Sequence, residues 1–237
     1  MATTGPDARD ERDATADLTP VMEDYLRQIY TLERAAEGRV SNADLADRLG
    51  VSRPSVTSMF EVLADRGLID REPYRPVVLT PDGERAALRI VRRHRLVETL
   101  LTEHFGFAIS EVDAEADALE HHISDRLCEE IDRVLGHPAV DPHGDPIPDA
   151  SLELRGESAA VSLVDVAEGT AAEVTRIGTQ DEETLSYLVA AGIEPGARLT
   201  VAEVAPFGMV TVDVAGEEGA ESLPEPLATQ VLVRVDE

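Results

Sequence analysis

Asp117, Glu120 and His121 stand within one short run, Asp113-Ala-Glu-Ala-Asp117-Ala-Leu-Glu120-His121-His122. If the run is helical, residues three and four apart share a face. Two carboxylates and an imidazole then point toward a common spot, a ligand set suited to a divalent first-row metal. A second stretch, Arg92-Arg93-His94-Arg95-Leu96-Val97-Glu98, offers another His/Glu pair at helical spacing. His122 projects from a different face and reads as structural or as an outer partner of a ligating imidazole. Cys128 is the only cysteine; it reads as a small buried residue and leaves no intrachain disulfide. His137 and His143 fall in a Pro/Gly-rich connector and are not counted as ligands.

These side chains need helices to carry them, and the pattern supplies several. Met22 to Leu32 is amphipathic, with Thr19 and Pro20 as its start signal. Asn42 to Leu49 is a short helix closed by Gly50. Ser52 caps a third helix, Arg53 to Arg66, with Pro54 in its first turn and Val56, Met59, Phe60 and Leu63 as its buried stripe. Two strand-like runs, Leu68 to Glu72 and Pro76 to Thr80, flank Pro73-Tyr74-Arg75. Helix, helix, turn, helix, hairpin is the order of a winged helix-turn-helix. Ser52, Arg53, Pro54, Ser55, Thr57 and Ser58 lie at the end of the third helix that would face a major groove. Small hydroxyls and a proline permit close approach to base edges, and Arg71 and Arg75 in the wing suit phosphates.

A long helix runs from Pro81 to about His104, and a second is expected from Glu111 to Leu135. Their wide apolar stripes suit a helical dimerisation unit. Asp141-Pro-His-Gly-Asp-Pro-Ile-Pro148 reads as a connector. From about Ala159 the period becomes two, with strands expected at 161–166, 171–177, 198–204, 209–214 and 230–235, and a short helix at Asp181 to Ala191. That is a small SH3-like barrel. The expected division is a disordered acidic tail (1–17), the winged helix-turn-helix (18–80), the helical dimerisation and metal-binding domain (81–138), a linker (139–158) and the SH3-like domain (159–237).

Hydrophobic residues make up 43% and aromatics 3% of the 237 residues, so the core is built from aliphatic side chains. A formal net charge of −27 argues against nucleic acid as a partner. Two features reverse that reading. All 21 basic residues are Arg and none is Lys. Acidity of this kind is the composition of a cytoplasmic protein from a salt-saturated cell, where high net charge maintains solubility. The acidity is also uneven: residues 18–95 hold 13 Arg against 12 acids, and the remainder 8 Arg against 36. The region spared is the one with the helix-turn-helix pattern. No stretch approaches the roughly 18 apolar residues of a membrane span, and Met1 to Asp17 lacks the apolar core of a signal peptide. The absence of His-Glu-x-x-His, a nucleophile elbow or a Gly-rich phosphate loop argues against an enzyme.

Five segments occur together in order: Met22-Glu-Asp-Tyr-Leu-Arg-Gln-Ile-Tyr30, Ser52-Arg-Pro-Ser-Val-Thr57, Arg93-His94-Arg-Leu-Val-Glu98, Leu119-Glu-His-His-Ile-Ser-Asp125 and His143-Gly-Asp-Pro-Ile-Pro148. With them the chain after the tail resembles the diphtheria-toxin-repressor family of metal-dependent transcriptional repressors, which has iron and manganese branches. The resemblance implies a homodimer that binds a double-stranded DNA operator when loaded with Mn2+ or Fe2+. It implies an activating metal position at Asp24, Asp117, Glu120 and His121. It implies a second at His94, Glu98, Asp113 and a carboxylate of the SH3-like domain near Asp181. Asp24 and Asp117 replace the iron branch's Met and Cys, and hard carboxylates there favour Mn2+. Arg27 replaces a Glu of the manganese branch. The rival expectation is a winged-helix regulator that needs no metal.

Overall fold

A computed structural model describes residues 18–35, 39–72, 75–154, 160–206 and 208–235. The expected tail at 1–17 and the wing residues Pro73 and Tyr74 lie outside them. The chain divides into two units, residues 1–90 and 91–237.

The first unit holds α1 (Pro20–Ala35), α2 (Asn42–Leu49), α3 (Arg53–Asp65), β1 (Ile69–Asp70), β2 (Val78–Leu79) and the first turns of α4 (Pro81–Phe105). Its helix ends are set by local chemistry. Ser41 and Asp44 form a reciprocal capping box on α2, and Gly50 closes that helix at φ 63°. The Ser52 hydroxyl caps α3 through the amide of Ser55. Asn42 Nδ2 donates to Thr57 Oγ1 at 2.8 Å and ties α2 to α3. Leu26, Ile29, Leu45, Val56, Phe60, Leu63, Leu68 and Val77 are all but inaccessible and form the core. The wing is β1 paired antiparallel with β2, extended by a bridge between Val40 and Val77. Glu33, on α1, accepts the amide of Leu79 at 2.7 Å.

The second unit contains the rest of α4, α5 (Val112–Glu120), α6 (Asp125–Val134) and a six-stranded antiparallel sheet. The expected single helix from Glu111 to Leu135 is two helices. Ser124 takes extended dihedrals and its hydroxyl caps α6 through the amide of Leu127. The apolar period of Leu119, Ile123 and Leu127 runs on through the break and hides it.

The sheet order is β3 (Val161–Ser162), β8 (Val231–Val235), β4 (Ala171–Ile177), β5 (Arg198–Ala205), β6 (Met209–Val214), β7 (Ala220–Pro224). A helix, α7 (Glu182–Ala190), lies between β4 and β5 in the chain, and a one-turn helix, α8 (Glu225–Ala228), precedes β8. The expected strand at 161–166 is only two residues long, because a 3-10 turn, Leu163–Asp165, follows. β7 was not expected. Inward residues of the strands, among them Val174, Val201, Val212, Leu223 and Val233, form one aliphatic core with Leu185 and Leu188 of α7.

Residues 139–154 are an ordered loop rather than a loose linker. Arg92 and Arg95 of α4 donate to the carbonyls of Pro148 (2.6 Å) and Pro146 (2.5 Å). Ile147 packs with Leu96, Cys128 and Ile131. On its other side the loop meets β4, where the amide of Ile177 donates to His143 O at 2.9 Å. Gly144, at φ +87°, sits so tightly there that a Cβ would fall 2.0 Å from Thr175 O.

Candidate metal centre

Two turns of α4 place His94 and Glu98 on its inward side, 3% and 1% exposed. α5 faces them with Asp113, Asp117 and a fully buried Glu120. The imidazole of His94 is ringed by four carboxylates. Nε2 lies 3.3 Å from Glu98 Oε1 and 3.3 Å from Asp113 Oδ1. Nδ1 lies 3.3 Å from Asp117 Oδ1 and 2.8 Å from Glu120 Oε2. A neutral imidazole has one N–H and one lone pair, so one of its faces would turn a lone pair toward carboxylates. Even a protonated ring brings a single positive charge. Glu98 and Glu120 are out of water while Asp113 and Asp117 are partly exposed, and four carboxylates gathered this closely favour a bound cation.

Glu98 also belongs to a second group. Its Oε1 lies 3.6 Å from His143 Nδ1, and Glu98, Asp141 and His143 form a buried set whose ligand atoms lie within 4.8 Å of one another. His143 Nε2 is 3.1 Å from the carbonyl of Ile109, which can only accept, so the hydrogen of a neutral ring sits on Nε2. Its Nδ1 lone pair then faces Glu98 Oε1, a buried oxygen that also lies 3.3 Å from His94 Nε2. Two acceptors aimed at one point fit a divalent cation. With no metal bound, burial opposes ionisation of Glu98, but the charge and hydrogen bond of a protonated His94, then the charge of a protonated His143, outweigh it and hold the carboxyl below its usual range. Asp141 goes the other way. Burial first, then the neighbouring Glu98 and Asp145, push it well above the usual carboxylate range, against Arg95. One oxygen of Asp141 accepts the amides of His143 and Asp145, each at 2.9 Å, which shapes the turn.

Of the sequence-expected ligands, His94, Glu98, Asp113, Asp117 and Glu120 converge. His121 is the C-terminal cap of α5 rather than a residue within it; its Nε2 lies 3.7 Å from Glu120 Oε1. Asp24 is half-buried on α1. Asp181 is not brought to the cluster. It is the exposed N-cap of α7, where its Oδ2 accepts the amide and hydroxyl of Thr184 at 2.9 and 2.6 Å. Those hydrogen bonds hold its carboxyl below the usual range. His143, set aside in the sequence, takes part. The signal for it was the His-Gly-Asp turn itself, whose glycine permits close docking. His137 is mostly exposed and bonds Asp132 at 2.9 Å; His122 is exposed.

At the start of α3, Ser52, Arg53, Pro54, Ser55 and Ser58 are exposed. Thr57 is half-buried, and its hydroxyl is committed to Asn42 and to the carbonyl of Arg53. Arg71 and Arg75 are ion-paired, with Glu61 at 3.2 Å and Glu72 at 2.9 Å.

Three family profiles cover most of the chain. The iron dependent repressor N-terminal DNA binding domain matches residues 17–77, the iron dependent repressor metal binding and dimerisation domain residues 80–149, and the FeoA domain residues 161–235. The iron-dependent repressor IdeR of Mycobacterium tuberculosis is 34% identical over 231 residues, 92% of this chain and 98% of the relative. The chain belongs to the iron-dependent repressor family. This is a family of metal-dependent DNA-binding transcriptional repressors with a helical N-terminal half and an SH3-like β domain. The transcriptional regulator MntR of Lysinibacillus sphaericus is 38% identical over 126 residues, 52% of this chain and 89% of that one. A solved manganese-dependent transcriptional repressor in complex with manganese superposes with TM-score 0.84 at 38% identity, over 90% of this chain and 99% of that one. The match of the family's metal-binding domain to residues 80–149 takes in the loop that carries Asp141 and His143. No helix among the described residues is long and apolar enough to cross a membrane.

Proposed function

We propose that this chain is a homodimeric repressor that binds palindromic operator DNA when loaded with Mn2+ or Fe2+, and that it controls metal-uptake genes. The observation that carries this reading is the His94 imidazole held among four carboxylates. It lies inside the segment matched by the family's metal-binding domain.

The activating position is assigned to Asp24, Asp117, Glu120 and His121. The second keeps His94, Glu98 and Asp113, with Asp141 and His143 in the place that sequence gave to Asp181. Oxygen donors predominate in both, which favours Mn2+ over softer-ligand metals, while Fe2+ is also accommodated. A bound divalent cation supplies the positive charge that allows these carboxylates to share one space. Asp24 belongs to the DNA-binding unit and the other ligands of its position to the second unit. Joint ligation would therefore favour one arrangement of the two units among those that the free chain samples. Ser52, Arg53, Pro54, Ser55 and Ser58 would then meet base edges and backbone in the major groove, with the methyl of Thr57 beside them and Arg71 and Arg75 on phosphates.

Retention of sheared genomic DNA in high KCl, with Mn2+, with anaerobic Fe2+ and with chelator, followed by sequencing, tests this. Metal-dependent enrichment of discrete palindromic sites is expected, and its loss in Asp24→Ala with an unchanged circular dichroism spectrum. Equal retention in every condition would instead support a winged-helix regulator that needs no metal.

A further inference from the structure

The arginines of the wing are not presented to solvent as single charges. Arg71 Nη1 lies 3.2 Å from Glu61 Oε1, with 30% and 62% of the two side chains exposed. Arg75 Nη1 lies 2.9 Å from Glu72 Oε2, at 64% and 66%. Glu61 projects from α3, so the first pair links the reading helix to the start of the wing; the second closes the turn in which Arg75 N donates to Glu72 O at 3.2 Å. Arg53, at the start of α3, makes no ion pair among the described residues. Of the three arginines expected at DNA, Arg53 is an open cation among the described residues, whereas Arg71 and Arg75 already have an anion.

We propose that the wing docks on DNA by partner exchange: Arg71 and Arg75 leave Glu61 and Glu72 for phosphates, and the freed carboxylates take up cations from solution. This rests on the DNA-binding reading above. Exposed ion pairs are weak, so a phosphate competes well for each guanidinium. The consequence lies in the ion balance. A lone arginine that neutralises a phosphate contributes about −0.9 to the slope of log K against log salt. An arginine that abandons a carboxylate beside the polyanion leaves a negative charge that must recruit a cation, and its contribution to that slope is cancelled. Two such pairs make operator affinity less sensitive to salt than the arginine count implies. That suits a chain of net charge −27 with no Lys.

The test uses the full chain loaded with Mn2+, fluorescence anisotropy on duplex DNA recovered by the retention experiment, and KCl from 0.2 to 2 M. The variant is E61Q/E72Q, isosteric at both positions and checked by thermal melting. Its log–log slope is expected to be steeper than the parent's by about 1.8. Over that tenfold change in KCl it should lose about 60-fold more affinity than the parent. R71A/R75A serves as the companion and should bind more weakly, with little change in slope because each pair was neutral beforehand. Parallel slopes for E61Q/E72Q and parent, with R71A/R75A weakened, would overturn the exchange and leave the repressor reading standing. Unaltered affinity in R71A/R75A would overturn the exchange by removing the wing from the interface. Failure of the parent to retain DNA in any condition would overturn both.

Discussion

Gly144→Ala is the sharpest probe of how the fold builds the metal centre. The residue sits at φ +87°, and a Cβ there would lie 2.0 Å from Thr175 O and 2.8 Å from Arg176 Cα. Both obstacles are backbone, so no side-chain rotation relieves them. Carbon atoms pack best at about 3.5–4.0 Å, so the turn must retreat from β4 by more than about 1 Å. Left-handed backbone costs a non-glycine residue about 1–2 kcal/mol, and overpacking a further 1–3 kcal/mol. The Ile177-to-His143 hydrogen bond is lost at the same time. A destabilisation of about 3–5 kcal/mol is expected, or on the order of 10 °C in Tm for a unit of this size. His143 and Asp141 ride on the same turn, so calorimetric titration with Mn2+ should lose its second binding phase while the first survives. Melting within 2 °C of the parent, with both phases intact, would refute the reasoning that close docking on β4 holds these ligands in place.

Other perturbations separate the remaining roles. His143→Ala should weaken metal binding at the second position by at least about tenfold; Asp181→Ala should lower Tm slightly and leave the titration unchanged. Chelation should lower the melting temperature of the parent more than that of Glu98→Gln, because only a site that binds in the folded state stabilises it by mass action. Asp132 meets Arg92 at 2.8 Å and His137 at 2.9 Å. Burial opposes its ionisation, but those hydrogen bonds and charges hold its carboxyl below the usual range. Its stabilisation is therefore complete above the unfolded value near 3.9 and lost as pH falls through the lower folded value. Urea midpoints measured from pH 6 downward should decline less steeply for Asp132→Asn, with a cost of about 3 kcal/mol at neutral pH from leaving Arg92 unneutralised.

The parts of this molecule legible in sequence are those whose determinants are local. β4 and β6 alternate cleanly, and their bounds were as expected. Gly50 announced the end of α2 and Ser52 the start of α3. β7 was hidden because Ala220-Glu-Ser-Leu-Pro224 has low strand propensity and buries only Leu223; its pairing with β6 decides it. Asp181 was drawn into the metal set by resemblance, although Asp-Glu-Glu-Thr is a local N-cap pattern that accounts for it fully. His143 was passed over because Pro and Gly suggested a loose connector. What orders that loop is contact with Arg92 and Arg95, about fifty residues earlier in the chain, and composition carries no trace of so distant a partner.

The hydrogen bond from Leu79 to Glu33 makes α1 a lever. Glu33 stands nine residues beyond Asp24, about 13 Å along the axis at 1.5 Å per residue. The helix between them is packed by Leu26 and Ile29, both fully buried, so a tilt of α1 would move it as one piece. A rotation imposed at Asp24 would reach, with the arm length of that helix, the strand of the wing that Glu33 grips.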